Sequence, residues 1–209
     1  MVTRGKDDTH ATRIAPEDFR AQPWRIHELA EDFVVEDVWL LPTPSGPDGL
    51  DRYVALTTDG SSDLPLPVRA LMALRWRIGA VVGWDRDDDG VGARIASLRD
   101  RLPEDLLTGD RGPDQRDLPM TSVYLTDREW VSEMGNKTVH ALMHLGWVPV
   151  SEGSAEGGYR GQMAVLTKPN GRLGRLYMLA IKPVRRWIVY PLMFRGLAKD
   201  WASMSPDSR

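Results

Sequence analysis

The chain has no cysteine in 209 residues. That removes disulfides, thiolate zinc centres, iron–sulfur clusters and a cysteine nucleophile at once. It fits a reducing compartment, and the expected location is cytoplasmic. No apolar run approaches the ~18 residues of a membrane span. The best stretch, Trp187 to Phe194, is short and carries Pro191. The first residues, MVTRGKDDTHATR, have charge but no apolar segment, so no secretory signal is expected. A net charge of −3 gives no global attraction to nucleic acid, and no nucleic-acid partner is expected. The Gly-rich pieces GVGARI, GGYRGQ and GRLGR fit neither G-x-G-x-x-G nor a P-loop. No G-x-S-x-G elbow occurs, and the element order lacks the βαβ alternation of a dinucleotide fold. The expectation is therefore no cofactor and no catalytic set.

What is present is a chain long enough for one domain with its own core. The division expected is a disordered tail over 1–12, one domain over 13–203 and a second tail over 204–209. Pro16 to Phe19 can start a helical turn with proline at its first position. Phe33 to Leu41 is β-branched and aromatic and reads as a strand. PTPSGPDG is loop chemistry. Arg52 to Thr58 reads as a second strand. Pro65 to Trp84 is helical, with Leu71, Leu74, Ile78, Val81 and Val82 on one face.

An acidic insertion follows over 85–118, with a short helix at 93–102 stopped by Pro103. Asp85, Asp87, Asp89 and Gly90 match the first half of a calcium loop. Ala96 stands where its bidentate glutamate is required and Arg94 brings a cation, so a solvated acidic turn is the better reading and no metal is expected.

Strands are expected at 121–126, 129–134, 138–148 and 159–168, with turn chemistry at Gly135-Asn136-Lys137 and at 151–158. Alternation puts Val139, Ala141, Met143, Leu145 and Trp147 on one side of the long strand. Thr138, His140, Leu142, His144 and Gly146 fall on the other. On a strand His140 and His144 are ~13 Å apart, too far to share a metal ion. Glu129 and Glu133 have no partner at a catalytic spacing, and a salt bridge to a neighbouring strand is their default.

The last segment, Leu173 to Trp201, is a helix. Leu173, Leu176, Tyr177, Ala180, Ile181, Val184, Trp187 and Ile188 recur at helical spacing among seven basic residues counted from Arg172, with Asp200 the only acid. Pro183 and Pro191 each predict a break or kink. A long helix straight after strands predicts an α+β fold, a curved antiparallel sheet wrapped around a Pro-kinked C-terminal helix.

Three stretches carry a family resemblance: ALRWRIGAVVGWD, EWVSEMGNKTVHALMHLGWV and GRLGRLYMLAIKPVRRWIVYPLMFRGLA. Together they resemble the bacterial DUF2867 family over Asp51 to Trp201, a family grouped with the Bet v 1-like, START-related (SRPBCC) superfamily. The resemblance implies a helix-grip fold enclosing an apolar cavity. Members of that superfamily carry lipids and hydrophobic metabolites, or act as polyketide cyclases and aromatases. The acidic insertion and the early strand depart from that pattern. The expected function is binding of a hydrophobic or amphipathic small molecule between sheet and last helix. Trp76, Tyr124, Trp130, His140, His144, Tyr177 and Trp187 are the candidate ligand-binding residues. Two alternatives are a cyclase- or hydratase-like enzyme using a cavity histidine, and membrane-surface or partner docking through the basic helix.

Overall fold

The computed structural model describes residues 10–58, 91, 95–115, 118–136, 138–150 and 158–204. The expected helix at 65–84, the half calcium loop and most of the 151–158 turn lie outside them.

The elements are β1 (Thr12–Ile14), α1 (Pro16–Arg20), α2 (Ile26–Leu29), β2 (Val34–Leu40), α3 (Gly49–Thr58), a 3-10 turn (Leu98–Arg101), α4 (Glu104–Thr108), β3 (Thr121–Leu125), β4 (Glu129–Gly135), β5 (Val139–Pro149), β6 (Tyr159–Pro169), α5 (Gly171–Val184), a π-helical segment (Arg185–Val189) and α6 (Tyr190–Ser203). The six strands form one curved antiparallel sheet in the order β1-β2-β6-β5-β4-β3. Its class is α+β, with the long helical C-terminus on one face, as the strand-then-helix order predicts.

Most strands fall where alternation puts them. Residues 52–58 do not: they are the last seven residues of the ten-residue α3, not a strand. Val54, Thr57 and Thr58 are β-branched, but Leu50, Tyr53 and Val54 bury at helical spacing. The Thr57 and Thr58 hydroxyls donate back to the carbonyls of Tyr53 and Val54. Tertiary packing overrides propensity here. The turn after β4 also differs in mechanism. Neither Gly135 nor Asn136 has positive φ. The Asn136 Oδ1 accepts from the Thr138 N–H and hydroxyl and from the Val139 N–H, closing the turn with a side chain.

Strand alternation gives the sheet two apolar faces. One carries Val38, Val123, Tyr124, Val131, Leu142, Ala164 and Leu166, covered by Phe19, Trp24, Ile26 and Leu29 of the N-terminal layer and by Leu98 and Leu106. The other carries Leu41, Trp130, Leu145, Trp147 and Met163, covered by α3 and by Tyr190, Phe194 and Trp201. These are the N-terminal face and the helix face below.

The C-terminal helix is joined to β2 by buried charge. Asp37 Oδ2 accepts from Arg185 Nε at 3.0 Å and Nη2 at 2.6 Å, and its Oδ1 accepts from Arg186 Nε at 2.6 Å. The Asp37 side chain has 0% exposure. Neighbouring Glu36 lies 3.6 Å from both Lys182 and Arg185. Consecutive strand residues ordinarily point to opposite faces. Here the register shifts between Val35 and Asp37, and this bulge lets both acids reach the same helix.

Pro183 and Pro191 bracket the matching feature on the helix. The junctions fall at Val184/Arg185 and Val189/Tyr190, beside the prolines, yet the backbone stays helical through both. Proline lacks the N–H that an α-helical ladder needs, and the turn before Pro191 widens into π geometry instead of ending. At the start of α5, a Cβ on Gly174 would lie 2.1 Å from the Thr138 carbonyl oxygen, so glycine is what allows the helix to approach the sheet.

Removing one partner of a buried ion pair strands the other. Asp37→Ala is expected to lower unfolding stability by about 3–5 kcal/mol in urea titration. A loss under 1 kcal/mol would show that the helix docks by apolar contact alone.

Candidate functional site

Of the seven residues singled out by the sequence, the five whose side chains are described do not share one face. Tyr124, His140 and His144 belong to the N-terminal face, and Trp130 to the helix face. Trp187 points outward at 79% exposure. Tyr177 lies within α5. Trp76 lies outside the described residues. The predicted alternation along β5 holds, but it sends both histidines away from the C-terminal helix.

On the N-terminal face the two histidines form separate pairs with the two glutamates of β4. His140 Nε2 donates to Glu133 Oε2 at 2.8 Å, and His144 Nε2 donates to Glu129 Oε2 at 2.9 Å. All four side chains are at most 5% exposed. The neighbouring-strand partner expected for each glutamate is therefore a histidine.

Each carboxylate also organises a covering segment. Glu133 accepts from the Leu98 N–H at 2.9 Å and from the Ser97 hydroxyl, which anchors the 3-10 turn. Glu129 accepts from the Arg25 N–H at 2.8 Å, which anchors α2. Rings seal the pairs. Phe19 and Trp24 pack on His144, each at 5.1 Å between centroids, and Phe33 packs on His140 at 5.0 Å. Trp24 needs a bare backbone beneath it, since a Cβ on Gly146 would lie 2.4 Å from its ring.

Burial holds the His144 pKa below its ordinary value, against the opposing pull of Glu129. Its Nδ1 has no hydrogen-bond partner among the described residues, so a proton there would be a buried, unpaired donor. For Glu133, burial would raise the pKa, but the bonds from His140, Leu98 and Ser97 outweigh it and the net shift is downward. Burial, reinforced by Glu129, pushes the Tyr124 phenol well above its usual range. These groups hold the N-terminal layer on the sheet. A separate, shallow and open depression of about 240 Å³ is lined by Glu28, Leu29, Glu31, Asp32 and Arg101. Asp32 is bonded there to both Arg101 and Lys168.

The helix face differs. Trp39 Nε1, Ser132 Oγ and Tyr190 Oη are buried there with no hydrogen-bond partner among the described residues. Trp39 meets Tyr190 edge-on at 5.5 Å and Phe194 at 5.2 Å. Burial keeps the Tyr190 phenol above its ordinary pKa, with Arg185 opposing, so the hydroxyl stays neutral and able to donate. Pairing across the sheet aligns Asp37, Val165, Met143 and Ser132 in one row, beside the row of Trp39, Met163, Leu145 and Trp130. Val165 and Met143 are only half-buried. From β2 to β4 is three strand spacings, about 14 Å. This face thus has indole and phenol donors at one end, a hydroxyl at the other and partly open carbon between. Its acids, Glu36 and Asp37, are engaged by the helix cations.

Sequence reasoning did not select Trp39, Ser132 or Tyr190. The available signal was Asp37, a carboxylate inside the β-branched run VVEDVWLL. It marks a buried ion-paired strand whose next same-face residue, Trp39, must also be interior.

Two outcomes test the N-terminal face. A depressed folded pKa stabilises the protein above the unfolded value and is lost as pH falls. Thermal stability should therefore fall as pH drops below 6.5, the ordinary value for His144, and again below 4.5, that for Glu133. His144→Gln, which keeps a donor toward Glu129, should abolish the first decline in calorimetry across that range. Gly146→Ala should cost about 1–3 kcal/mol by overpacking against Trp24, and the added Trp24→Ala change should leave it little further effect. Strict additivity in that cycle would contradict the packing.

No curated protein and no solved structure matches the chain. A family model, described as a protein of unknown function (DUF2867), matches residues 29–192. That span is well over half of the chain, and the protein belongs to the DUF2867 family.

Proposed function

We propose that this is a cytoplasmic binding protein for an elongated hydrophobic or amphipathic small molecule, held against the helix face of the sheet. The observation that carries the reading is the set of buried, unpartnered polar atoms, Trp39 Nε1, Tyr190 Oη and Ser132 Oγ, within an apolar cluster. Buried donors without partners are costly, and a ligand acceptor would satisfy them. The half-buried Val165 and Met143 between them would take the ligand's carbon. A molecule bonded at both ends would carry polar groups about 14 Å apart.

An SRPBCC-type assignment agrees with this reading, since a curved antiparallel sheet with a C-terminal helix on one face is the architecture that superfamily implies. The cyclase or hydratase alternative has less support. Its candidate bases, His140 and His144, are bonded to glutamates beneath the N-terminal layer.

Mass spectrometry of organic extracts from the purified protein, with displacement of bound anilinonaphthalene sulfonate, tests the proposal. Trp39→Phe and Tyr190→Phe each remove one hydrogen-bonding group and keep the ring. Each should weaken the displacing ligand by about 3- to 10-fold, the worth of one neutral hydrogen bond, while His144→Gln leaves affinity unchanged. Failure to extract any ligand and to bind the probe would reject the reading.

A further inference from the structure

The exposed residues of the C-terminal helix form a single stripe along its length. Arg172, Arg175, Leu176, Leu179, Ala180, Pro183, Trp187, Ile188, Arg195 and Lys199 are all exposed at three- and four-residue intervals, interrupted only near Pro191. The centre is apolar: Leu176 is 64% exposed, Leu179 67%, Trp187 79% and Ile188 42%. Leu176 to Ile188 covers about 18 Å of helix. The ends are basic. Lys182, Arg185 and Arg186 are spent on Glu36 and Asp37, but Arg172, Arg175, Arg195 and Lys199 have no ion pair among the described residues.

We propose that this outward face docks on an anionic lipid bilayer. An apolar strip with a central tryptophan and cationic flanks is the pattern of a helix lying in the membrane interface. Among the described residues no helix is long and apolar enough to cross a membrane, so the mode is surface attachment.

Charge selects this occupant over two others. A second copy of the helix, parallel or antiparallel, would set basic ends against basic ends. The chain's own Pro65–Trp84 stretch carries three arginines and no acid, and would repel those ends too. Anionic headgroups complement both basic ends at once, and acyl chains take the apolar centre. Docking uses the side of the helix opposite Tyr190 and Phe194, so bilayer attachment and ligand binding can fail independently.

The test is co-sedimentation of the full-length protein with vesicles of phosphatidylcholine alone, or of phosphatidylcholine and phosphatidylglycerol in equal parts. Binding is expected only to the anionic vesicles and should be lost as salt rises. Arg172→Gln and Lys199→Gln should each weaken it by roughly fivefold. Leu179→Glu and Trp187→Glu should each weaken it by at least about tenfold. Both lie at the surface, so unchanged thermal unfolding and unchanged anilinonaphthalene sulfonate binding would show that fold and ligand face are intact. The proposal is overturned by equal binding to neutral vesicles, or by none to either. A dimer in ultracentrifugation that Trp187→Glu dissolves would instead put a second copy on the stripe. Strong hydrogen-exchange protection of 172–188 without vesicles, beyond that of α6, would put the chain's own residues there. Either result also overturns it.

Discussion

The buried Asp37 carboxylate is the constraint on which the arrangement depends. A single carboxylate with no exposed side-chain surface must be neutralised, and among the described residues the consecutive Arg185 and Arg186 bond its two oxygens, with Arg13 farther off at 3.8 Å. Adjacent residues of a straight α-helix diverge around its axis. The π-helical turn at Arg185–Val189 is the local departure that lets both converge. The bulge at Val35/Asp37 is its counterpart on the strand, delivering Glu36 and Asp37 to one side. Two irregularities thus meet at one cluster of charge. Neither would be favoured alone, because each gives up regular backbone hydrogen bonding. Together they fix where the helix crosses the sheet and how far it is rotated.

That rotation decides what each side of the helix does. Once Lys182, Arg185 and Arg186 face β2, Gly174 and Met178 turn toward the sheet on one side of the cluster, and Tyr190, Phe194 and Trp201 on the other. Leu176, Leu179 and Trp187 are then outward by geometry. The helix therefore carries two apolar stripes. Spacing finds both, but spacing has no information on which is inner. The preceding strands and the family resemblance point the face of Leu176, Ala180 and Trp187 toward a cavity, and all three are exposed. The deciding signal was the acid pair in β2, remote in sequence and complementary in charge.

The same division explains what was legible elsewhere. The strands of residues 121–169 were readable because alternation, a turn-forming Asn136 and β-branched runs all agree. The partition of β5 into His140, Leu142 and His144 against Met143, Leu145 and Trp147 followed from the same periodicity. Which partition met the C-terminal helix was not readable. It depends on Phe19 in the five-residue α1 and on Trp24 and Phe33 in the loops flanking α2, stretches too brief to leave a periodic signature. Residues 52–58 misled because Val54, Thr57 and Thr58 favour a strand locally, while burial of Leu50, Tyr53 and Val54 favours a helix only once the sheet exists to receive them.

The two faces also differ in how they treat polar atoms. On the N-terminal face, four ionisable side chains that resemble catalytic groups are matched donor to acceptor, and their remaining bonds reach Arg25, Ser97 and Leu98. A buried pair so engaged has little freedom to exchange a proton with a substrate, because losing either partner leaves the other uncompensated. On the helix face the acids are engaged, and the unpaired atoms are the Trp39 indole N–H, the Ser132 and Tyr190 hydroxyls and the Nε of Arg52, whose guanidinium donates elsewhere to the Trp201 carbonyl. Neutral donors amid carbon can orient a ligand at modest desolvation cost, and they offer no base strong enough to take its protons. Histidine and glutamate drew attention in the sequence because they can do chemistry. In the folded chain they hold a layer in place, and on the helix face Trp39, Ser132 and Tyr190 are neutral groups left with unused hydrogen-bonding capacity.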